Sequence, residues 1–360
     1  MLFGGNDKNY PLGIDISDYS IKMVELEKSG SDIRIQCMNK ISLASGVIEE
    51  GEIKDEKRAV NFLHSLIDKP FFGKVNSGRV VACLPESRSF VKLIEISSGF
   101  GNMSEAIEAE IEKHIPFSTE EIYIDWQEIE RKNNKHLILV GVAPKKIVDQ
   151  YYNLFTKANL SVEALEIEPL AIARSVLEEE DPNYKSSLGK NYIVVDLGYA
   201  HTNVFVYSKN TILFTFSIPV SGKKITRTIA EKLDIKELEA ENIKKKLTEK
   251  SKYYKEVMAI LNDYYRQLDQ KLGRVLEFYY ENFSDRGRIE SLVLVGGGAH
   301  LKNLKKSISS LPPSIDIIKG NPLLHISLTE KSETLFKKKD KLVYSTAVGL
   351  ALSGIFKKEL

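Results

Sequence analysis

The sequence predicts an α/β protein built as two similar halves, and three observations carry that reading. Residues 12–26 and 192–206 share one layout: an apolar strand, an Asp (Asp15, Asp196), a loop of small and turn-forming residues, and a second strand. Residues 292–301 form an apolar strand that breaks into Gly296, Gly297 and Gly298. At 360 residues the chain also exceeds the usual size of one domain.

Each element follows from its local pattern. Strands are expected over 12–16, 21–27 and 33–41, separated by turn residues such as Ser29-Gly30-Ser31-Asp32. Over 55–68, Val60, Leu63 and Ile67 recur at helical spacing, and 79–84 returns as a strand. Residues 90–96 alternate, a Gly-containing turn follows at 97–102, and 103–114 is an amphipathic helix with Ile107 and Ile111 on one face, stopped before Pro116. Strands at 122–129 and 136–143 are joined by Lys132-Asn133-Asn134-Lys135, and 144–158 is a helix with Pro144 near its start. This strand–helix–strand–strand–helix unit reads as a small domain inserted into the first half. A strand at 162–167 and a helix at 170–177, opened by Glu168-Pro169, complete that half, and the polar stretch 178–190 reads as a hinge.

The second half begins at Tyr192. Helices are expected over 225–233 and 235–247, and 250–283 reads as one long amphipathic helix. Its stripe of Tyr254, Val257, Leu261, Tyr264, Leu268, Leu272, Val275 and Tyr279 keeps a 3.6-residue period without a strict heptad, which predicts domain core rather than a coiled-coil seam. The charged run 329–341 reads as a solvated loop, and 342–356 as a closing helix whose Ala347, Gly349, Ala351 and Ser353 permit close packing.

Composition narrows the function classes. Lys and Arg (51) nearly balance Asp and Glu (50), which argues against nucleic-acid binding through overall positive charge. Cys37 and Cys83 lie far apart outside any CxxC pattern, and the six histidines lack metal-ligand spacing, so neither a disulfide framework nor a zinc site is supported. The start has no apolar core, and the most continuous apolar run, 137–143, is too short to cross a membrane. The expectation is a cytoplasmic protein whose membrane association comes through partners.

The paired hairpins suggest how a polyphosphate would be held. Carboxylates at strand ends suit magnesium, which takes one or two carboxylates together with phosphates and water. Asp15 and Asp196 are placed for this, and Lys22 lies on the returning strand as a point charge for phosphate. Loop amides over 16–20 and 197–202 would cradle phosphates as anion-binding nests. The three glycines would admit close backbone approach at the adenosine end, with the N-terminus of a following helix aimed inward.

In this order the motifs resemble the actin-like ATPase superfamily, with 12–26 and 192–206 as its two phosphate loops and 294–304 as its adenosine motif. Within it the chain is similar to the PilM family of type IV pilus assembly proteins. That resemblance spans almost the whole sequence and includes 106–116, Glu166-Ile167-Glu168-Pro169-Leu170-Ala171, and Ser221-Gly222-Lys223-Lys224-Ile225-Thr226 leading to Ala240-Glu241-Asn242-Ile243-Lys244. It implies an actin-like, ribonuclease-H-like two-domain ATPase fold with an inserted α+β subdomain of the 1C type. Subdomain 1A would comprise 1–87, 163–180 and 342–360, partner-binding 1C 88–162, 2A 190–224 and 286–341, and helical 2B 225–285.

The resemblance also implies site residues. ATP would be bound by Asp15, Ser17, Ser20, Lys22, Asp196, Gly198, Thr202, Asn203, Gly222, Glu241, Lys244, Gly296, Gly297 and Gly298, with Asp15 and Asp196 holding Mg2+ through water. Glu168 falls where superfamily members orient the attacking water, although a Glu before Pro at a helix start also suits the helix dipole. Ser17 stands where the first loop usually has Gly, and Tyr199 and Ala200 stand where strong hydrolases carry Asp and Gly, so ATP binding with slow or negligible turnover is expected.

The implied partner is the cytoplasmic N-terminal tail of a PilN-like membrane protein, in a groove around 90–126, which places the chain at the inner face of the inner membrane. Pilus motor ATPases and self-association are further partners the resemblance allows. Trp126, in the inserted unit, is expected to be core. Two other readings stay open: a division protein resembling FtsA, whose terminal amphipathic membrane helix 354–360 is too short to reproduce, and a small-molecule kinase, for which no catalytic Asp stands out in the first half. A structural pseudo-site that only wedges a nucleotide is a fourth.

Overall fold

The computed structural model describes residues 9–99, 101–115, 118–178, 190–338 and 340–356. The expected hinge over 178–190 falls almost wholly outside the described residues, as do Pro116 and the last four residues of the chain.

The first half runs β1 (Leu12–Ile16), β2 (Ser20–Ser29), β3 (Asp32–Ser42), β4 (Ile48–Glu49), β5 (Glu52–Ile53), α1 (Glu56–Asp68), β6 (Phe72–Gly73) and β7 (Arg79–Leu84). β8 (Phe90–Ser97), α2 (Met103–Ile111), β9 (Ile122–Lys132), β10 (Lys135–Pro144), α3 (Lys145–Lys157), β11 (Ser161–Ile167) and α4 (Glu168–Val176) follow. The second half comprises β12 (Asn191–Leu197), β13 (Thr202–Ser208), β14 (Thr211–Ile218), α5 (Gly222–Leu233), α6 (Glu237–Lys245), α7 (Tyr254–Asn282), β15 (Ser291–Val295), α8 (Leu304–Ser307) and β16 (Asp316–Lys319). The chain closes with α9 (Glu330–Lys338) and α10 (Ser345–Phe356).

These elements form two compact units. One contains the described residues up to 178 with Thr211–Phe214 and everything from Asn321 onward; the other contains 190–210 and Thr215–Gly320. The first unit is organised by a six-stranded sheet in the order β11-β7-β1-β2-β3-β6. Both faces are covered, which is why its strands read as near-continuous apolar runs. Val80 and Ala82 of β7 face a core shared with Leu63 of α1 and Tyr151 and Phe155 of α3. The alternate residues Val81 and Cys83 turn to the other face, against Ala171 of α4 and Leu350 of α10.

β8, β10 and β9 pair antiparallel, and Ile94, Ile138 and Val140 close with Ile107 and Ile111 of α2 into a separate core cluster. Helix α3 buries its apolar face in the six-stranded core instead. In the second unit β12 pairs antiparallel with β13 and parallel with β15, which pairs with β16. Helix α7 buries the predicted stripe, with Leu261, Leu268, Leu272 and Tyr279 fully enclosed.

Several expectations change. Helix α2 ends at Ile111 and not at His114, closing through Lys113 N–H to Glu110 O and His114 N–H to Ile111 O, since Glu108, Glu110 and Glu112 oppose the dipole at its C-terminus. The charged run predicted to be a loop contains α9, whose start is fixed by reciprocal bonds: Ser332 N–H to Thr329 Oγ1 (3.3 Å) and Thr329 N–H to Ser332 Oγ (2.8 Å). Trp126, expected in the core, is 39% exposed on the edge strand β9. The long helix begins at Tyr254 rather than 250, and strand β14 lies where the sequence suggested no element.

One buried carboxylate makes stability pH-dependent. Glu25 of β2 is 1% exposed and accepts from Asn76 N–H at 2.9 Å. Burial pushes it up from 4.5 to about 7, helped by Glu27 and opposed by the Asn76 and Ser77 amides. The folded chain therefore keeps a proton that the unfolded chain releases, so the stability this group contributes falls as pH rises from 4.5 to about 7, and is flat above. Glu25→Gln is expected to flatten this part of the profile and to raise Tm above pH 7, read from melting curves between pH 5 and 8.

Candidate functional site

In the first unit the β1–β2 hairpin sets the geometry. Asp15 and Lys22 are opposite each other in the ladder, and the tight loop is closed by Ser17 N–H to Ser20 O at 3.0 Å. Lys22 Nζ lies 2.6 Å from Asp15 Oδ2, and Asp15 is 3% exposed. The Ser17 hydroxyl donates to Ser20 O and accepts from Ser20 N–H, so this serine shapes the loop with its own side chain.

Cys83 of β7, which sequence reasoning did not single out, reaches the same place. Its Sγ is 3.9 Å from Asp15 Oδ1. Burial, reinforced by the Asp15 and Glu168 carboxylates, pushes the thiol well above its ordinary range and keeps it a neutral donor. Glu168 opens α4, and its Oε1 accepts from the Thr346 hydroxyl of α10 at 3.2 Å. Thr346 carried no sequence signal because its partner is 178 residues away in the chain.

In the second unit the predicted residues converge. Asp196 and Asn203 are opposite each other across the β12–β13 hairpin, Asn203 is buried, and the Thr202 hydroxyl bonds the Tyr264 hydroxyl of α7 at 3.3 Å. Ser221 caps α5 by accepting from Lys224 N–H. The first two amides of that helix donate back to the loop, Gly222 N–H to Gly198 O (3.2 Å) and Lys223 N–H to Tyr199 O (2.8 Å). Lys244 of α6 then meets three acceptors: Gly222 O at 2.9 Å, Thr226 Oγ1 at 2.8 Å and Glu241 Oε2 at 2.6 Å. Burial draws Lys244 down while Glu241 supports its charge; burial pushes Glu241 up, but bonds from Lys244, Thr226 and Lys245 together with the Lys244 charge hold it below its usual range. The side chains expected to flank adenosine thus also bind α6 to the start of α5.

The glycine run packs against the same hairpin. Gly296 sits at φ +75°, and a Cβ there would lie 2.3 Å from Asp196 Oδ1; one on Gly298 would lie 2.7 Å from Leu197 Cβ. The expected helix after it is instead one 3-10 turn (Gly297–His300), broken by Asn303 at φ +63° before the four-residue α8. These glycines are required because side chains would push the loop and Asp196 aside, whereas the inward helix N-terminus is not formed.

Taken by itself, each unit carries residues that suit a magnesium-bound polyphosphate in kind. The first unit supplies a buried carboxylate with an adjacent ammonium; the second supplies a carboxylate in a cradle that a Cβ on Gly296 would fill. Among the described residues no group of three or more His, Cys, Asp or Glu could cage a metal by itself, and no helix is long and apolar enough to cross a membrane.

Comparison with known proteins accords with this geometry. The chain is similar to the solved structure of a PilM-PilN type IV pilus biogenesis complex at 21% identity, covering 97% of this chain and 99% of that one, with a TM-score of 0.79. It is similar to the ethanolamine utilization protein EutJ from Carboxydothermus hydrogenoformans (17% identity, 97% and 91% covered, TM-score 0.56). It also resembles MreB 5 of Spiroplasma citri bound to AMPPNP (13% identity, 98% and 97% covered, TM-score 0.51). The fold is thus the actin-like α/β fold that the family resemblance implied. The family model for type IV pilus assembly protein PilM matches residues 13–355, and the chain belongs to that family.

Proposed function

We propose that this chain is an ATP-binding, actin-like scaffold of the type IV pilus inner-membrane assembly complex. In this reading it works in the cytoplasm and takes the N-terminal tail of a PilN-like membrane protein. The observation that carries the proposal is the family match over residues 13–355, supported by the likeness in fold to a PilM-PilN complex. The same match favours the pilus reading over the division-protein and kinase alternatives.

Asp15, Lys22 and the Ser17–Ser20 loop on one unit, and Asp196, Gly198 and the Gly296–Gly298 run on the other, are the residues that would hold Mg-ATP. Magnesium would neutralise phosphate charge, with Asp15 and Asp196 as its carboxylates through water. Tyr199 and Ala200 bring no second acid to loop two, which accords with slow or negligible hydrolysis. The tail would bind at the inserted β8–α2–β9–β10 segment within 88–162, as an extended peptide anchored by a few apolar side chains.

The test is a titration of a synthetic peptide matching the cytoplasmic tail of the genomically adjacent membrane protein, with and without Mg-ATP. Saturable binding is the expected result. No binding in either state would overturn the scaffold reading, and robust steady-state ATPase activity would overturn the weak-turnover expectation.

A further inference from the structure

Residues Glu50 and Gly51 join β4 to β5 with both backbones left-handed, at φ 49° and 76°. Such a turn is strained for Glu50 and persists only where its surroundings hold it. Asp18, in the first phosphate loop, does so with both oxygens: Oδ2 accepts from Glu50 N–H at 2.8 Å and Oδ1 from Gly51 N–H at 2.9 Å.

The opposite side of this turn is gripped where the inserted β8–α2–β9–β10 segment joins the rest of its unit. On the incoming side, Ser87 Oγ and Arg88 Nε both donate to Glu50 O, at 3.2 and 3.0 Å. Pro85 packs so closely that a Cβ on Gly51 would lie 2.4 Å from its own. On the outgoing side, Tyr151 of α3 donates from its hydroxyl to Gly51 O at 3.2 Å, and Lys146 Nζ lies 2.5 Å from Glu52 Oε1. Lys146 and Lys54 hold the Glu52 carboxylate down at about 2, so that contact stays ionised at any working pH.

We propose that Asp18 and the Glu50–Gly51 turn form a strut that couples the first phosphate loop to both connections of the inserted segment, so that nucleotide at the loop and peptide at the segment alter one another's affinity. Asp18 is a positioning residue here: its carboxylate is committed to the turn. Any displacement of the Ser17–Ser20 loop must move the turn or break two charge-assisted hydrogen bonds. A shift of the turn reaches Arg88 and Tyr151 directly. The coupling is reciprocal by linkage, so peptide binding shifts nucleotide affinity by the same factor. This inference rests on the proposed function for its two ligands, but its mechanical part does not.

The test uses the full chain and two variants that remove the turn's contacts outside the Ser17–Ser20 loop, Arg88→Met and Tyr151→Phe, singly and combined. Without ligand, amide hydrogen exchange at Ser17, Ser20, Glu50 and Gly51 is expected to speed up at least fivefold in the double variant. Unchanged exchange at Ser17 and Ser20 would overturn the strut. With ligands, the ratio of Mg-ATP affinities with and without the tail peptide is expected to differ from one in the wild type. The double variant should bring it to one while moving each separate affinity less than threefold. A wild-type ratio of one, with both ligands bound, would overturn the coupling alone. Failure of the wild type to bind either ligand would overturn the functional reading and the coupling with it, and the exchange data would still decide the strut.

Discussion

Gly349→Ala is expected to leave the chain unfolded or aggregated at ordinary temperature. An added Cβ would lie 1.7 Å from Ala171 O and 2.4 Å from Ala171 C, backbone atoms of the neighbouring helix α4 that no rotamer change can move. The carbonyl of Gly349 also accepts from Arg174 Nη1 at 2.9 Å, and Arg174 pairs with Glu166 at 2.8 Å, so separating the helices strains a half-buried ion pair as well. Overpacking in a core costs about 1–3 kcal/mol and more where backbone must move, and this site belongs to the costly end. Whole domains are stable by only about 5–15 kcal/mol, so the loss is a large fraction of the total. Gly30→Ala is the control: Gly30 has φ +62° but nothing within 4 Å of its Cβ position, so its cost is backbone strain alone, about 1 kcal/mol. Urea denaturation of both variants checks the pair; equal midpoints would overturn the packing argument.

Gly296→Ala should separate site geometry from stability in the second unit. The added methyl would meet Asp196 Oδ1 at 2.3 Å and Leu197 O at 2.9 Å, so the carboxylate must leave its position. Under the proposed function, Mg-nucleotide affinity should fall at least about tenfold, or about 1.4 kcal/mol. Gly46→Ala, at φ +82° with nothing within 4 Å, should show comparable strain and unchanged affinity. A fluorescent-nucleotide titration of the two variants decides it: equal loss of binding in both would point to general destabilisation, and no loss in Gly296→Ala would remove Asp196 from the site.

The parts of the fold legible in the sequence are those whose cause is local or periodic. The two Asp-bearing hairpins announce themselves because a strand, a turn and a returning strand lie within fifteen residues, and the α7 stripe because burial of one helical face imposes a 3.6-residue period. Helix α9 was hidden because its cap lies in Thr329 and Ser332, hydroxyls indistinguishable by composition from those of a loop. The site was legible to the same degree. Asp15, Lys22 and Asp196 follow from hairpin register, whereas Thr346, Cys83 and Asp18 act through partners 178, 68 and 32 residues away, where sequence spacing carries no information. Trp126 misled for a different reason: alternation along an edge strand predicts which residues share a face, not whether that face is covered.

The closing helix has a consequence for how the chain is made. Helix α10 packs on β1, β2, β7 and α4, elements that leave the ribosome long before it, and the whole β12–β16 segment is synthesised in between. Until residues 345–356 emerge, Val24, Leu26, Val81 and Cys83 lack their cover, and a nascent chain carries that apolar surface for most of its synthesis. Surface of this kind is what draws chaperones and favours aggregation. Translation pauses, or truncations that remove the last helix, therefore act on strands made near the start of the chain as well as on the neighbouring Leu323, Ile326 and Tyr344.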